Sequence, residues 1–187
     1  MYSKEIIVRG CEIPKESYTK GLTRVAKILL FAVFTGIGAQ LAIRLPFTPV
    51  PITMQTLFVV LAGITLGPRD GFYAMISYLV MGAMGAPVFA GFHFGPAALI
   101  GPTGGYLIAF PAAALLSGIL SERLSKRRLA VLTGSLCGST LILISGTCYF
   151  RLLSNISLHQ TVQMAATPFI AGEVIKAFLA VAIVGKR

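Results

Sequence analysis

The sequence predicts an all-α integral membrane protein of six transmembrane helices with both termini in the cytoplasm. Three observations carry that expectation. Apolar residues make up 56% of the 187-residue chain and charged residues 12%, with a mean hydropathy of +0.84, a balance outside the soluble globular range. Six apolar runs can be drawn at about 25–44, 51–66, 71–88, 103–121, 129–150 and 162–184, each close to the ~20 residues that cross a bilayer as a helix. With the N-terminus inside, thirteen Lys and Arg fall in cytoplasmic segments and only Arg44 and Arg151 in outer ones, a strong positive-inside bias. The net charge of +10 therefore reads as topology and lipid contact, not as a nucleic-acid surface.

Taken in order, residues 1–24 form a basic cytoplasmic segment, and residues 25–187 form the membrane domain. The opening stretch is too long for a signal-peptide head, and the following run lacks a small-x-small cleavage site, so it is expected to stay as helix one. Ala32 and Gly36, then Gly38 and Ala42, make small-xxx-small pairs that permit close helix contact, within the chain or with another subunit. Runs two and three are short. Residues 85–102 are rich in Gly and Pro yet strongly apolar, which points to a segment packed on protein or re-entrant. Run five holds Cys137 and Cys148, 11 residues apart. That is ~16 Å along a helix, too far for a disulfide. The sequon at Asn155-Ile156-Ser157 carries little weight.

Run six contains Glu173 and Lys176 where a spanning helix should be hydrocarbon. A charge at that depth costs about 2.5–3.5 kcal/mol on insertion scales, so the default reading is a polar substrate or ion site. At i and i+3 the two share a helix face and can compensate each other. Under the six-span topology, helices two, four and six all begin at the outer face. There lie the stretch from Thr48-Pro49-Val50 to Gln55, the stretch from Gly104 to Tyr106, and Glu173. Helix N-termini favour anionic groups. Gly104-Gly105 either lets a ligand approach the backbone or only allows close helix packing. His93, in a Gly-rich setting beside Gly91 and Phe92, is either a loop histidine or a ligand contact. A small amphiphile with a carboxylate and an N–H-rich head suits this inventory.

Absences narrow the mechanism. The chain has no G-x-x-x-x-G-K-[ST] phosphate loop, so it is not read as hydrolysing ATP itself. Ile144-Ser145-Gly146 lacks the full G-x-S-G pattern of an intramembrane serine protease, and no enzymatic activity or catalytic residue is expected. His93 and His159 stand alone, so no metal or cofactor is expected either.

Four motifs together carry a resemblance. They are Pro46-Phe47-Thr48-Pro49-Val50-Pro51-Ile52-Thr53-Met54-Gln55-Thr56-Leu57, Pro87-Val88-Phe89-Ala90-Gly91, Gly101-Pro102-Thr103-Gly104-Gly105-Tyr106-Leu107, and Pro168-Phe169-Ile170-Ala171-Gly172-Glu173-Val174-Ile175-Lys176. In this order they resemble the signatures of BioY proteins across about residues 25–185. The resemblance implies the biotin-binding S component of an energy-coupling factor (ECF) transporter. Its partners would be a transmembrane coupling subunit and two ATPase subunits, dedicated, shared or absent, and its place the cell membrane. It implies that residues 46–51 cap the pocket with Gln55 nearby. Gly91, Phe92 and His93 would line the pocket, and Tyr106, Glu173 and Lys176 would complete it. The Ala32/Gly36 face would dock on the coupling subunit. Two departures stand out: Ala171-Gly172-Glu173 replaces the usual Pro-Gly-Asp, and His93 and Leu107 stand where some relatives have Asn and Arg. Lys176 or backbone N–H groups are then candidates for the carboxylate contact. A different class of function remains open, a stand-alone carrier of biotin or a similar small carboxylate, coupled to protons through Glu173.

Overall fold

A computed structural model describes residues 15–154 and 156–185, with side chains from Thr19 onward. Lys4, Arg9, Asn155, Lys186 and Arg187 lie outside the described residues. The described chain is helical, with eight α-helices: α1 (Lys15–Gln40), α2 (Gln55–Leu66), α3 (Pro68–Ala83), α4 (Pro96–Ile100), α5 (Gly104–Arg123), α6 (Arg127–Leu153), α7 (Leu158–Ala165) and α8 (Thr167–Val184). Among the described residues, four stretches are long and apolar enough to cross a membrane: Thr19–Gln40, Gly104–Arg123, Arg127–Leu153 and Leu158–Val184.

Large apolar side chains face outward as well as inward, unlike those of a soluble protein. On α1 the stripe Ala32, Thr35, Gly36 and Ala39 is buried, while Leu22, Val25, Leu29, Leu30, Val33 and Ile37 face outward. Small residues inside allow close backbone approach, and large apolar ones outside suit hydrocarbon contact. Helix α5 is the most buried of the four long stretches and packs on α2, α3 and α6. Its neighbours come close because Gly63 of α2, Gly71 of α3 and Gly118 of α5 meet at one crossing. A Cβ on Gly63 would strike the backbone of Ala114.

The six apolar runs fall on α1, α2, α3, α5, α6 and the pair α7 and α8, with several differences, three of which shape the site. Helix α1 stops at Gln40, four residues short of the expected end. Beyond it the chain extends as β1 (Ala42–Ile43), paired antiparallel with β2 (Ile52–Thr53) in the register Ala42↔Thr53 and Ile43↔Ile52. This hairpin closes the Pro-rich loop over the end of the bundle. The run expected at 162–184 is broken at Ala166, because Pro168 has no N–H to continue the helical ladder. Helix α7 begins with a capping box in which Ser157 and Gln160 satisfy each other's backbone N–H groups. The break frees the Ala165 carbonyl, which accepts from the Tyr106 hydroxyl at 2.5 Å and Thr147 Oγ1 at 3.3 Å. Third, residues 85–102 fold onto the bundle as a 3-10 turn (Ala90–Phe92) followed by α4. Phe89 is buried edge-on against Tyr78, with ring centroids 5.6 Å apart.

Candidate functional site

The polar centre sits where α8 faces the first turn of α2. Glu173 and Lys176 are each 6% exposed, and the Lys176 ammonium contacts Glu173 Oε1 at 2.5 Å. Lys176 Nζ also donates to the Thr53 carbonyl at 3.0 Å and to Thr56 Oγ1 at 2.5 Å. Its three N–H donors thus match three acceptors. The Thr56 hydroxyl in turn donates a hydrogen bond to Glu173 Oε1 at 2.9 Å. Oε1 is therefore doubly hydrogen-bonded, while the buried Glu173 Oε2 has no hydrogen-bond partner among the described residues. A buried acceptor without a donor is costly. This one lines a narrow inner cavity of about 50 Å³, beside Thr56, Thr103, Tyr106, Phe110 and Phe169.

Pro51, Thr103 and Leu107 border both this cavity and a larger one of about 600 Å³, a volume typical of small-molecule sites. The larger cavity lies between the hairpin loop and residues 89–103, and its lining includes Arg44, Thr48, Pro49, Phe89, Gly91 and His93. The loop at 89–93 is held tightly. Gly91 (φ 72°) and Phe92 (φ 60°) are both left-handed, a conformation a Phe rarely adopts. Gln40, the last residue of α1, fixes it from both sides: its amide donates to Phe89 O at 3.0 Å, and its Oε1 accepts from Phe92 N at 3.1 Å. We expect Gln40→Ala to release this turn, so that hydrogen exchange at the Phe92 amide accelerates at least about tenfold, given ~1.5 kcal/mol for the lost contacts.

The residues singled out from sequence divide between these spaces. Thr48, Pro49, Gly91 and His93 line the larger cavity, while Val50, Tyr106, Glu173 and Lys176 line the inner one. Gln55, Gly104 and Phe92 line neither. Gln55 is a buried strut: its amide donates to the Tyr78 hydroxyl at 2.6 Å, which donates on to Val88 O at 3.0 Å. Gly104 serves packing, since a Cβ there would run into the Leu99 carbonyl. The Phe92 ring is exposed. Ala32 is fully buried, and Gly36 backs onto Val88. Sequence reasoning passed over Thr53 and Thr56, whose partners lie more than a hundred residues away, and treated Arg44 as a topology signal only.

Comparison with known proteins agrees with the motif reading. The family model described as the BioY family matches residues 13–187. The chain is 40% identical over 159 residues to a probable biotin transporter BioY of Pyrococcus horikoshii, covering 85% of this chain and 92% of that one. It is 33% identical over 163 residues to the biotin transporter BioY of Thermotoga maritima, covering 87% and 94%. Among solved structures it superposes on the S-component for biotin from an ECF-type ABC transporter, with a TM-score of 0.82 and 29% identity. That match covers 90% of this chain and 92% of the other.

Proposed function

The chain belongs to the BioY family, and from that membership we propose that it is the membrane-embedded, biotin-capturing subunit of a biotin uptake system. The observation that carries the reading is the unpartnered Glu173 Oε2 at the inner cavity. Biotin's fused ring bears two ureido N–H donors, which suit an acceptor that the protein leaves unmatched. Lys176 holds the carboxylate in place, its own donors saturated by Thr53, Thr56 and Glu173 itself. The ring's sulfur-bearing face meets Tyr106, Phe110 and Phe169, and the side chain runs past Pro51 and Leu107 into the larger cavity. Thr56→Val removes the hydroxyl that joins Lys176 to Glu173, and we expect it to weaken biotin binding about tenfold without changing the fold.

The protein acts as a transporter subunit, not an enzyme. It sits in the cell membrane with six spans, both termini inside and the cavities opening outward, as the distribution of Lys and Arg supports. An ATP-driven coupling module of a transmembrane subunit and two ATPases drives delivery inward, consistent with the ECF-type system to which the similar structure belongs. The test is accumulation of labelled biotin by cells that depend on this chain. Depleting ATP is expected to stop it, and collapsing the proton gradient at constant ATP to leave it intact. The opposite pattern would favour a stand-alone carrier in which Glu173 cycles a proton.

A further inference from the structure

The polar centre accounts for only one end of the ligand, and the larger cavity carries a charge of its own. Several cationic side chains elsewhere in the described chain have partners. Arg24 pairs with Asp70, Lys176 with Glu173, and Arg151 donates to the Ser154 carbonyl. Arg44 makes no hydrogen bond or ion pair with any described residue, yet it lines the larger cavity, whose lining contains no Asp or Glu. Its guanidinium rests on Gly91, so closely that a Cβ there would overlap Arg44 Nη2. The glycine thus makes room for the arginine head, and the loop that presents it is the one Gln40 clamps. His93 lies beside it on the same lining, with Nδ1 donating to Ala90 O at 2.7 Å and Nε2 as its remaining polar atom.

We infer that Arg44, with His93 beside it, forms the subsite for the carboxylate of the ligand, at the far end of the two adjoining cavities from Glu173. This rests on the reading that biotin's ring enters the inner cavity. A planar guanidinium with no competing acid recognises a carboxylate by paired charge-assisted hydrogen bonds. Pro51 and Leu107 at the junction offer only apolar contact to the aliphatic chain between the two ends. The chain then discriminates biotin from uncharged relatives through Arg44, a residue outside its recognisable motifs.

The test is equilibrium binding of biotin and of biotinamide, its neutral amide, to the purified full chain and to Arg44→Gln and Arg44→Lys, each checked for a monodisperse elution profile. The parent is expected to prefer biotin by about 10- to 100-fold. Arg44→Gln should lose that preference by weakening biotin alone, and Arg44→Lys should restore part of it. A parent that binds both ligands equally overturns the inference without any variant, as does an Arg44→Gln protein that still discriminates. A parent that binds neither ligand overturns the proposed function as well.

Discussion

Glu173→Gln is expected to weaken biotin binding by at least about 100-fold. The substitution keeps the side-chain volume but turns a buried acceptor pair into one acceptor and one N–H₂ donor, which faces the ligand's own donors. It also leaves the Lys176 ammonium buried without its counter-ion. Breaking a buried pair from one side costs about 3–5 kcal/mol of stability. The affinity is lost because the ligand's donors meet a donor, about 3 kcal/mol where a charged acceptor is removed, at tenfold per ~1.4 kcal/mol. Lys176→Met should do comparable damage by stranding the carboxylate. The double variant separates the causes. Removing both charges together is often close to neutral for stability, so Glu173→Gln/Lys176→Met should regain much of the melting temperature while biotin binding stays lost. A double variant that binds biotin as the parent does would mean the pair serves only the fold.

Gly63→Val should abolish recovery of folded protein. At that crossing α2, α3 and α5 touch backbone to backbone. The new Cβ would overlap the Ala114 carbonyl, while Gly71 already sits against the Cα of Gly63 and Gly118 against its carbonyl oxygen. Overpacking of a flexible core typically costs about 1–3 kcal/mol. Here the obstacle is backbone, which cannot rotate away, so the helices must separate. Size-exclusion chromatography of the solubilised protein reads the outcome. Gly172→Ala is the matched control: its Cβ would meet nothing closer than 3.9 Å, and the protein should elute as the parent does.

What could be read from the sequence follows from what is local. Glu173 and Lys176 announced themselves because a charge inside an apolar run contradicts its surroundings, whatever lies opposite. The Pro-rich loop and residues 85–102 were legible as packed, irregular backbone because their composition forbids both a regular helix and a comfortable aqueous loop. Other features are properties of juxtaposition. Nothing near Thr56 says that its hydroxyl joins Lys176 to Glu173, a pairing across more than a hundred residues. The pairing of Ala42–Ile43 with Ile52–Thr53 ended α1 earlier than hydropathy alone suggests. Pro168 did signal the break between α7 and α8, but it was submerged in a continuous apolar run. Gly104 had two readings of equal merit, and only the Leu99 carbonyl beside it decides for packing. Arg44 left a faint trace in the sequence, as one of just two basic residues in the segments expected to lie outside.

The most direct measurement is a titration of the purified, solubilised chain with labelled biotin, run beside Glu173→Gln under identical conditions. Saturable binding of one biotin per chain by the parent, with that binding lost in a Glu173→Gln protein that still elutes as a folded species, is the expected result. Parent-like affinity in Glu173→Gln would contradict the placement of biotin's ring at the Glu173 carboxylate. No saturable binding by the intact parent would contradict biotin capture itself.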